Sequence, residues 1–133
     1  MNILLDTHYV LWSLFDSKKL RQRERQYFLN TDNTILVSVI SLWEISLKYQ
    51  LGKLTLKNIR PENLPLAITQ SGFTIVGMTE VEASSFYQLP KMMHHDPFDR
   101  MLVWQAIQNR WWFLSKDKPI KAYKNNGLRL LDT

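Results

Sequence analysis

The sequence contains no cysteine, so it has no disulfide framework, no cysteine-ligated zinc or iron–sulfur site and no thiol nucleophile. Glycine is also scarce, and its four positions are Gly52, Gly72, Gly77 and Gly127. With this spacing, neither the GxGxxG turn of dinucleotide-binding domains nor the GxxxxGK[ST] phosphate loop can be written anywhere in the chain. The sequence therefore excludes nucleotide binding through either motif.

Long hydrophobic runs are absent as well. The longest near-apolar stretch, residues 35–43, contains Ser38 and Ser41 and stops before Glu44. It is well short of the about 20 residues that a membrane-spanning helix needs. The first residues reach Asp6 without the basic region and apolar core of a signal peptide. We expect a cytoplasmic protein that does not associate with membranes.

The composition that remains is typical of one globular domain, which we expect to cover residues 1–133. Hydrophobic residues make up 45% of the chain and charged residues 22%, values far from those of disordered or fibrous proteins. Seventeen Lys and Arg residues against twelve Asp and Glu residues give a formal net charge of +5. This excess favours encounters with polyanions, and nucleic acid is the leading candidate partner.

Short apolar runs alternate with stretches of helical spacing, which predicts an α/β domain with a mainly parallel sheet covered by helices on both faces. Gly72 and Gly127 each precede a strand and are expected to form turns. The predicted strands are residues 3–5, 34–39, 73–76, 111–114 and 128–131. The predicted helices are residues 8–15, 21–29, 42–51, 62–70, 80–87 and 98–109.

Two aspartates follow predicted strands. Asp6 comes directly after the first strand, and Asp117 follows the fourth after Ser115 and Lys116. The carboxyl ends of parallel strands lie at one edge of the sheet, which is where such domains bind their ligands. We therefore expect both carboxylates at the functional edge.

Two further acids lie on the apolar faces of predicted helices. Glu44 shares a face with Leu47 and Leu51, which directs its carboxylate inward. Asp99 opens a helix and shares its face with four apolar residues, Leu102, Val103, Ala106 and Ile107.

Four carboxylates at one edge would repel one another and raise each other's pKa unless a cation held them together. Oxygen-only ligands select hard cations such as Mg²⁺ or Mn²⁺, and such a site performs metal-assisted phosphoryl chemistry. The expected metal ligands and catalytic residues are Asp6, Glu44, Asp99 and Asp117.

Each acid also has a purely structural interpretation. Asp6 suits the N-cap of the first helix, and Glu44 can pair with Lys48 on an exposed helix face. Asp117 can be a turn residue in a lysine-rich segment. Only their joint placement at strand ends and on inward helix faces favours a site.

Four motifs follow one another along the chain, at residues 4–8 (LLDTH), 41–45 (SLWEI), 95–100 (HDPFDR) and 115–117 (SKD). Their order resembles the PIN-domain family, in particular its VapC-like toxins with LLDTH and DPFDR motifs. The resemblance implies a three-layer fold with a five-stranded parallel sheet of order 3-2-1-4-5 flanked by helices. It gives Asp6, Glu44, Asp99 and Asp117 the role of metal ligands.

The same resemblance implies Mg²⁺-dependent cleavage of RNA, with Mn²⁺ as a substitute, leaving 3′-hydroxyl and 5′-phosphate ends. The chain would be the toxin of a toxin–antitoxin pair, with an antitoxin protein as its partner, and would form a homodimer. Two other classes remain open. One is a non-catalytic RNA-binding module of the same fold. The other is a phosphatase-like or receiver-like domain in which Asp6 accepts a phosphoryl group, although His8 stands where such phosphatases want a second acid.

Several other residues are given secondary roles. Asp96, followed by Pro97, is expected to cap a helix or to form a secondary site. Possible substrate contacts are Ser115, Lys116 and Lys118, with Lys121 and Lys124 nearby. The basic residues between positions 18 and 25 are expected to be a solvated helix face.

Histidine and tryptophan are assigned no chemistry. The adjacent His94 and His95 lack partners for a transition-metal site, and His8 is expected to pack or to face solvent. The tryptophans on predicted helices are expected in the core, at Trp12, Trp43 and Trp104.

Overall fold

The computed structural model of the chain describes residues 1–92 and 95–133, so His94 lies outside the described residues. The strands are β1 (Asn2–Leu5), β2 (Thr34–Ser38), β3 (Thr74–Val76), β4 (Trp112–Leu114) and β5 (Arg129–Leu130). The α-helices are α1 (Thr7–Phe15), α2 (Gln22–Leu29), α3 (Val39–Gln50), α4 (Leu64–Gln70), α5 (Glu80–Ser85) and α6 (Pro97–Asn109). Shorter 3-10 segments are Ser17–Lys19, Pro61–Asn63, Phe86–Gln88 and Lys118–Asn126.

The five strands form one parallel sheet in the order β3-β2-β1-β4-β5. This confirms the α/β class and the strand order. The central strand β1 has β2 on one side and β4 on the other, with Leu5 opposite Leu114. The order of the strands reverses between β1 and β4, where open α/β sheets form a crevice beyond their carboxyl ends.

Alternate residues of the strands enter two apolar cores, one on each face of the sheet. Ile3 and Leu5 pack in the core that α1, α3 and α4 cover. Leu4 and Phe113 pack in the other core, which α6 and the segment Lys118–Asn126 cover. No helix among the described residues is long and apolar enough to cross a membrane.

The start of α3 differs from the prediction. The helix begins at Val39 rather than at residue 42, because the Ser38 side chain caps it and accepts a hydrogen bond from the Ile40 amide at 3.0 Å.

Trp43, predicted to be buried, is 60% exposed, whereas Trp104 lies in the core as expected and Trp12 is half-buried. The prediction for Trp43 is wrong because hydrophobic character alone does not decide which side of a helix faces the sheet.

A buried carboxylate, Glu24, links α2 to the centre of the fold. It accepts hydrogen bonds from the Tyr9 hydroxyl (2.8 Å), the Arg21 amide (3.1 Å) and the Lys116 ammonium (3.1 Å). The Lys116 ammonium also lies over the rings of Tyr9 and Trp12. Although burial favours the neutral form, these donors hold the pKa of Glu24 below its ordinary value.

A second polar network ties α3 to α6. Ser38 Oγ donates to Gln105 Oε1 at 2.6 Å, and Gln105 Nε2 donates to Glu82 Oε1 at 3.0 Å. Asn109 Nδ2 donates to the other oxygen of Glu82 at 2.7 Å. Because Gln105 is fully buried, these bonds fix where the two helices lie relative to each other.

Replacing Glu24 with Gln should lower the free energy of unfolding by about 2 kcal/mol near neutral pH, because the ionised carboxylate accepts from Lys116 and two other donors. The pKa of Glu24 is lower in the folded chain than in the unfolded chain. The contribution of ionised Glu24 to stability is therefore complete at pH values above the pKa of Glu24 in the unfolded chain. It is lost as the pH falls through the pKa of Glu24 in the folded chain. Urea denaturation of the wild-type protein and Glu24→Gln at a series of pH values should show a difference in the free energy of unfolding that narrows below about pH 4.3.

The matched control is Glu62→Gln, since Glu62 is exposed. If the difference in unfolding free energy between the wild-type protein and Glu24→Gln stayed constant down to low pH, the charge of Glu24 would not stabilise the fold.

Candidate metal centre

Asp6 lies where β1 passes into α1. Its carboxylate caps the helix, with Oδ1 accepting from the Tyr9 amide at 3.0 Å, and its own amide donates to the carbonyl of Leu114 at 3.1 Å. The side chain is buried, with 4% of the residue exposed. Burial raises the pKa of Asp6, and the charge of Asp117 adds to the rise, while the Ser115 hydroxyl and the Tyr9 amide oppose it. The structure therefore gives Asp6 both the capping position and a place at the functional edge.

Ser115 joins Asp6 to Asp117. Its buried hydroxyl accepts a hydrogen bond from the Asp117 amide at 3.1 Å and lies close enough to the Asp6 carboxyl to oppose the rise in its pKa. The two aspartates are close enough to influence each other electrostatically, so they share one edge of the sheet, as the sequence predicts. The expected contact of Ser115 with substrate stays a prediction.

Glu44 reaches the same region from α3 through Thr7, the residue after Asp6. Thr7 Oγ1 lies 2.6 Å from Glu44 Oε1 and 3.0 Å from Ser41 Oγ, and all three side chains are buried. Glu44 points inward as predicted. The reason given for it, a buried apolar face shared with Leu51, is wrong because Leu51 is 57% exposed. Polar partners on α1 and α3, rather than an apolar stripe, account for its position.

Glu44, Asp96 and Asp99 form a compact acidic group. Each offers one carboxylate oxygen, and these three oxygens lie within 4.8 Å of one another. Asp96 also caps α6 as predicted, with Oδ1 accepting from the amides of Phe98 (2.8 Å) and Asp99 (3.2 Å). Since the cap uses one oxygen, Asp96 combines the capping role with a place in the group.

Lys48 places a positive charge beside this group. Its ammonium pairs with Glu44 Oε2, one turn away along α3. Burial opposes the charged form, but the pair with Glu44 and the charges of Asp96 and Asp99 raise the pKa of Lys48. The sequence suggested this pair as an alternative on an exposed face. Instead the Glu44 side chain is only 4% exposed, and the pair lies beside the acids.

The acids thus form two adjoining parts. Asp6 and Asp117 lie at the ends of β1 and β4, while Glu44, Asp96 and Asp99 come from α3 and α6. Carboxylate oxygens are the ligands that Mg²⁺ and Mn²⁺ prefer, so the donor set suits a hard divalent cation. The ligand set of Asp6, Glu44, Asp99 and Asp117 stays a prediction.

The residues with secondary roles or none lie in varied surroundings. His8 is exposed, in agreement with the expectation, and its ring lies 5.8 Å from that of Trp12. Lys118 is exposed, whereas the Lys116 ammonium is engaged by Glu24. Sequence reasoning missed the role of Thr7, although a hydroxyl directly after Asp6 in the LLDTH motif was a signal for it.

The sequence matches the PIN domain family over residues 3–126. It is 24% identical over 123 residues to the protein named Ribonuclease VapC22 of Mycobacterium tuberculosis, covering 92% of each chain. Among solved structures, it is similar to VapBC2 of Rickettsia felis bound to a DNA fragment from its promoter (TM-score 0.68, 19% identity, 98% of each chain). It is also similar to DNA-bound VapBC of Salmonella typhimurium (TM-score 0.69, 18% identity, 99% of this chain and 98% of that one). At these identities the structural similarity establishes the fold.

Replacing Asp99 with Asn should weaken Mn²⁺ binding while leaving the melting temperature in chelator unchanged or raised, because one like charge is removed from the group. Replacing Asp96 with Ala should also weaken Mn²⁺ binding but should cost about 1 kcal/mol of stability, because the cap of α6 is lost. Calorimetric titration with Mn²⁺ and thermal melts in EDTA separate the two effects. Asp99→Asn with unchanged Mn²⁺ affinity would remove Asp99 from the metal centre.

Replacing Lys48 with Met should tighten Mn²⁺ binding about tenfold or more, because the variant removes a positive charge that competes with the cation for Glu44. Lys53→Met, on an exposed loop residue, is the matched control. Titration of both variants with Mn²⁺, followed by electron paramagnetic resonance of the free ion, measures the difference. Weaker binding in Lys48→Met would mean instead that Lys48 holds Glu44 in the geometry that the cation needs.

Proposed function

The chain belongs to the PIN-domain family, and we propose that it is a metal-dependent endoribonuclease and the toxin of a toxin–antitoxin pair. The observation that carries the proposal is the group of Glu44, Asp96 and Asp99, whose carboxylate oxygens lie within 4.8 Å of one another, with Asp6 and Asp117 following the paired strands β1 and β4. Such a group is costly to assemble unless a cation binds it. A sheet edge with this donor set therefore favours metal-assisted chemistry on a phosphodiester.

Similar proteins support the substrate and the biological setting. The curated relative is named a ribonuclease, and the similar structures include VapBC complexes and FitAcB of Neisseria gonorrhoeae. An antitoxin protein is accordingly the proposed partner and RNA the proposed substrate. A homodimer and a cytoplasmic location remain predictions from the sequence.

The proposed cation is Mg²⁺, with Mn²⁺ as a substitute. Asp6, Glu44, Asp99 and Asp117 would hold it, and Asp96 lies close enough to Glu44 and Asp99 to take part. When bound, such a cation lowers the pKa of a water molecule and offsets the charge of the phosphate.

The remaining residues of the site orient the acids. Thr7 and Lys48 engage the two oxygens of Glu44, so its carboxylate is held from both sides. Ser115 accepts a hydrogen bond from the Asp117 amide and lies close to the Asp6 carboxyl. In the proposed hydrolysis a water oxygen bonds to phosphorus and the bond to the 3′ oxygen breaks. The 3′ oxygen takes up a proton, which leaves a 3′-hydroxyl and a 5′-phosphate.

The surroundings of Asp6 disfavour the phosphoryl-acceptor alternative. An acceptor carboxylate must reach a phosphorus atom directly, but Asp6 is buried and one of its oxygens is occupied by the Tyr9 amide. The non-catalytic RNA-binding module is distinguished by experiment rather than by geometry.

The purified protein should cleave single-stranded RNA in Mg²⁺ or Mn²⁺, lose that activity in EDTA and regain it when Mg²⁺ is added in excess. Cleavage products should carry 5′-phosphates, which a 5′-phosphate-dependent exonuclease detects. Asp6→Asn and Asp99→Asn should be inactive, with Asp32→Asn, an exposed aspartate, as the matched control.

Cleavage that persisted in EDTA, or in both site variants, would contradict the proposed mechanism. RNA binding without cleavage at any divalent cation concentration would favour the non-catalytic module.

A further inference from the structure

Two basic segments that are far apart in the sequence meet in one cleft. Its lining includes Arg21 and Arg23, at the start of α2, together with Lys118, Lys121 and Lys124 of the segment Lys118–Asn126. The cleft has a volume of about 490 Å³. The basic residues between positions 18 and 25 are exposed, as expected for a solvated face, and two of them also line this cleft.

The cleft adjoins the candidate metal centre through Ser115. Ser115 lines the cleft, and its hydroxyl accepts a hydrogen bond from the Asp117 amide at 3.1 Å. Lys116 also lines it, but the Lys116 ammonium is paired with the buried Glu24 carboxylate and is therefore not counted among the cations that bind a ligand. Ser115 therefore places the cleft next to the end of β4, the strand that Asp117 follows and that pairs with the strand before Asp6.

The charge of the lining identifies the class of ligand. Apart from Lys116 it carries five cationic side chains, and Asp132 is the acidic side chain among them. Like charges held this close repel one another, and a polyanion relieves that repulsion by binding and releasing its own counterions. A row of phosphates spaced along a flexible chain is the ligand that matches several cations lining one cleft.

The shape of the cleft favours a single strand over a duplex. Its volume is in the range of pockets that enclose small ligands, about 300–1,000 Å³, and it is concave. Duplex DNA is read by protein elements that project into a groove about 12 Å wide, which is the opposite shape. The lining residues that the structure describes include no aromatic ring for base stacking. The contacts should therefore be to the backbone and independent of sequence.

We propose that this cleft binds the phosphodiester backbone of single-stranded RNA on one side of the scissile bond and leads the strand to the acids. The inference rests on the proposed function for the identity of the substrate. It goes further in assigning Arg21, Arg23, Lys118, Lys121 and Lys124 as the strand-binding residues.

The test uses a fluorescein-labelled single-stranded oligouridylate in EDTA, so that binding is measured without cleavage. Fluorescence anisotropy between about 50 and 200 mM KCl gives the slope of log affinity against log salt, which changes by about 0.7 for each phosphate contact to a single strand. The double variant Lys121→Gln, Lys124→Gln should reduce that slope by about 1.4 and weaken binding at least about tenfold at 0.1 M salt. Arg23→Gln, on α2, should reduce it by about 0.7.

The matched control is Lys53→Gln, Lys57→Gln, which removes the same charge from exposed residues outside the cleft lining. An unchanged slope in both cleft variants, or an equal loss in the control, would overturn the proposal. The proposal would also be overturned if the cleft variants bound duplex DNA more weakly but bound the single strand as the wild-type protein does, because the cleft would then bind a duplex.

The two proposals fail separately. If the protein cleaves RNA but the cleft variants keep the wild-type salt slope, the proposed nuclease activity stands and the proposed role of the cleft is contradicted. If the salt slope falls as expected but the protein cleaves nothing in Mg²⁺, the role of the cleft stands and the nuclease activity is contradicted.

Discussion

The parallel pairing of β1 with β4 is the constraint on which the candidate site depends. Because Leu5 lies opposite Leu114, the next residues of both strands emerge together, and Asp6 meets Ser115 and Asp117 at the sheet edge. A shift of one residue in this register would turn Asp6 to the other face of the sheet. The buried runs on both strands oppose such a shift, since they would lose their places in the two cores.

The second part of the site depends on helix positions, and these are set by polar contacts rather than by apolar packing alone. Ser38 caps α3 and bonds Gln105 of α6, so the helices that carry Glu44 and Asp99 are coupled at a buried point. Thr7 then ties Glu44 to the end of β1. Buried hydrogen bonds of this kind are directional, and a broken one leaves an unpaired polar group, so they specify orientation more sharply than hydrophobic contact does.

Much of the fold follows from local sequence signals. The apolar runs predict the five strands to within one or two residues, and the Asp96-Pro97 pair predicts the start of α6. Local signals fail where tertiary contacts decide. Trp43 and Leu51 look like core residues, yet both face solvent, and the pair of Glu44 with Lys48 lies beside the acids rather than on an open face. The meeting of Arg21 and Arg23 with the lysines after β4 depends on how α2 packs, which no local pattern contains.

The order of the strands also has a consequence for how the chain folds. Every pairing in the sheet is non-local, and the central strand pairs Ile3 with Trp112, residues near opposite ends of the chain. Loops of this length close slowly, and parallel sheets are accordingly slow to form. On the ribosome Asp6 emerges first, but its partners Ser115 and Asp117 emerge only after most of the chain has been synthesised. The nascent polypeptide therefore carries no assembled acidic edge, and the site is completed among the last steps of folding.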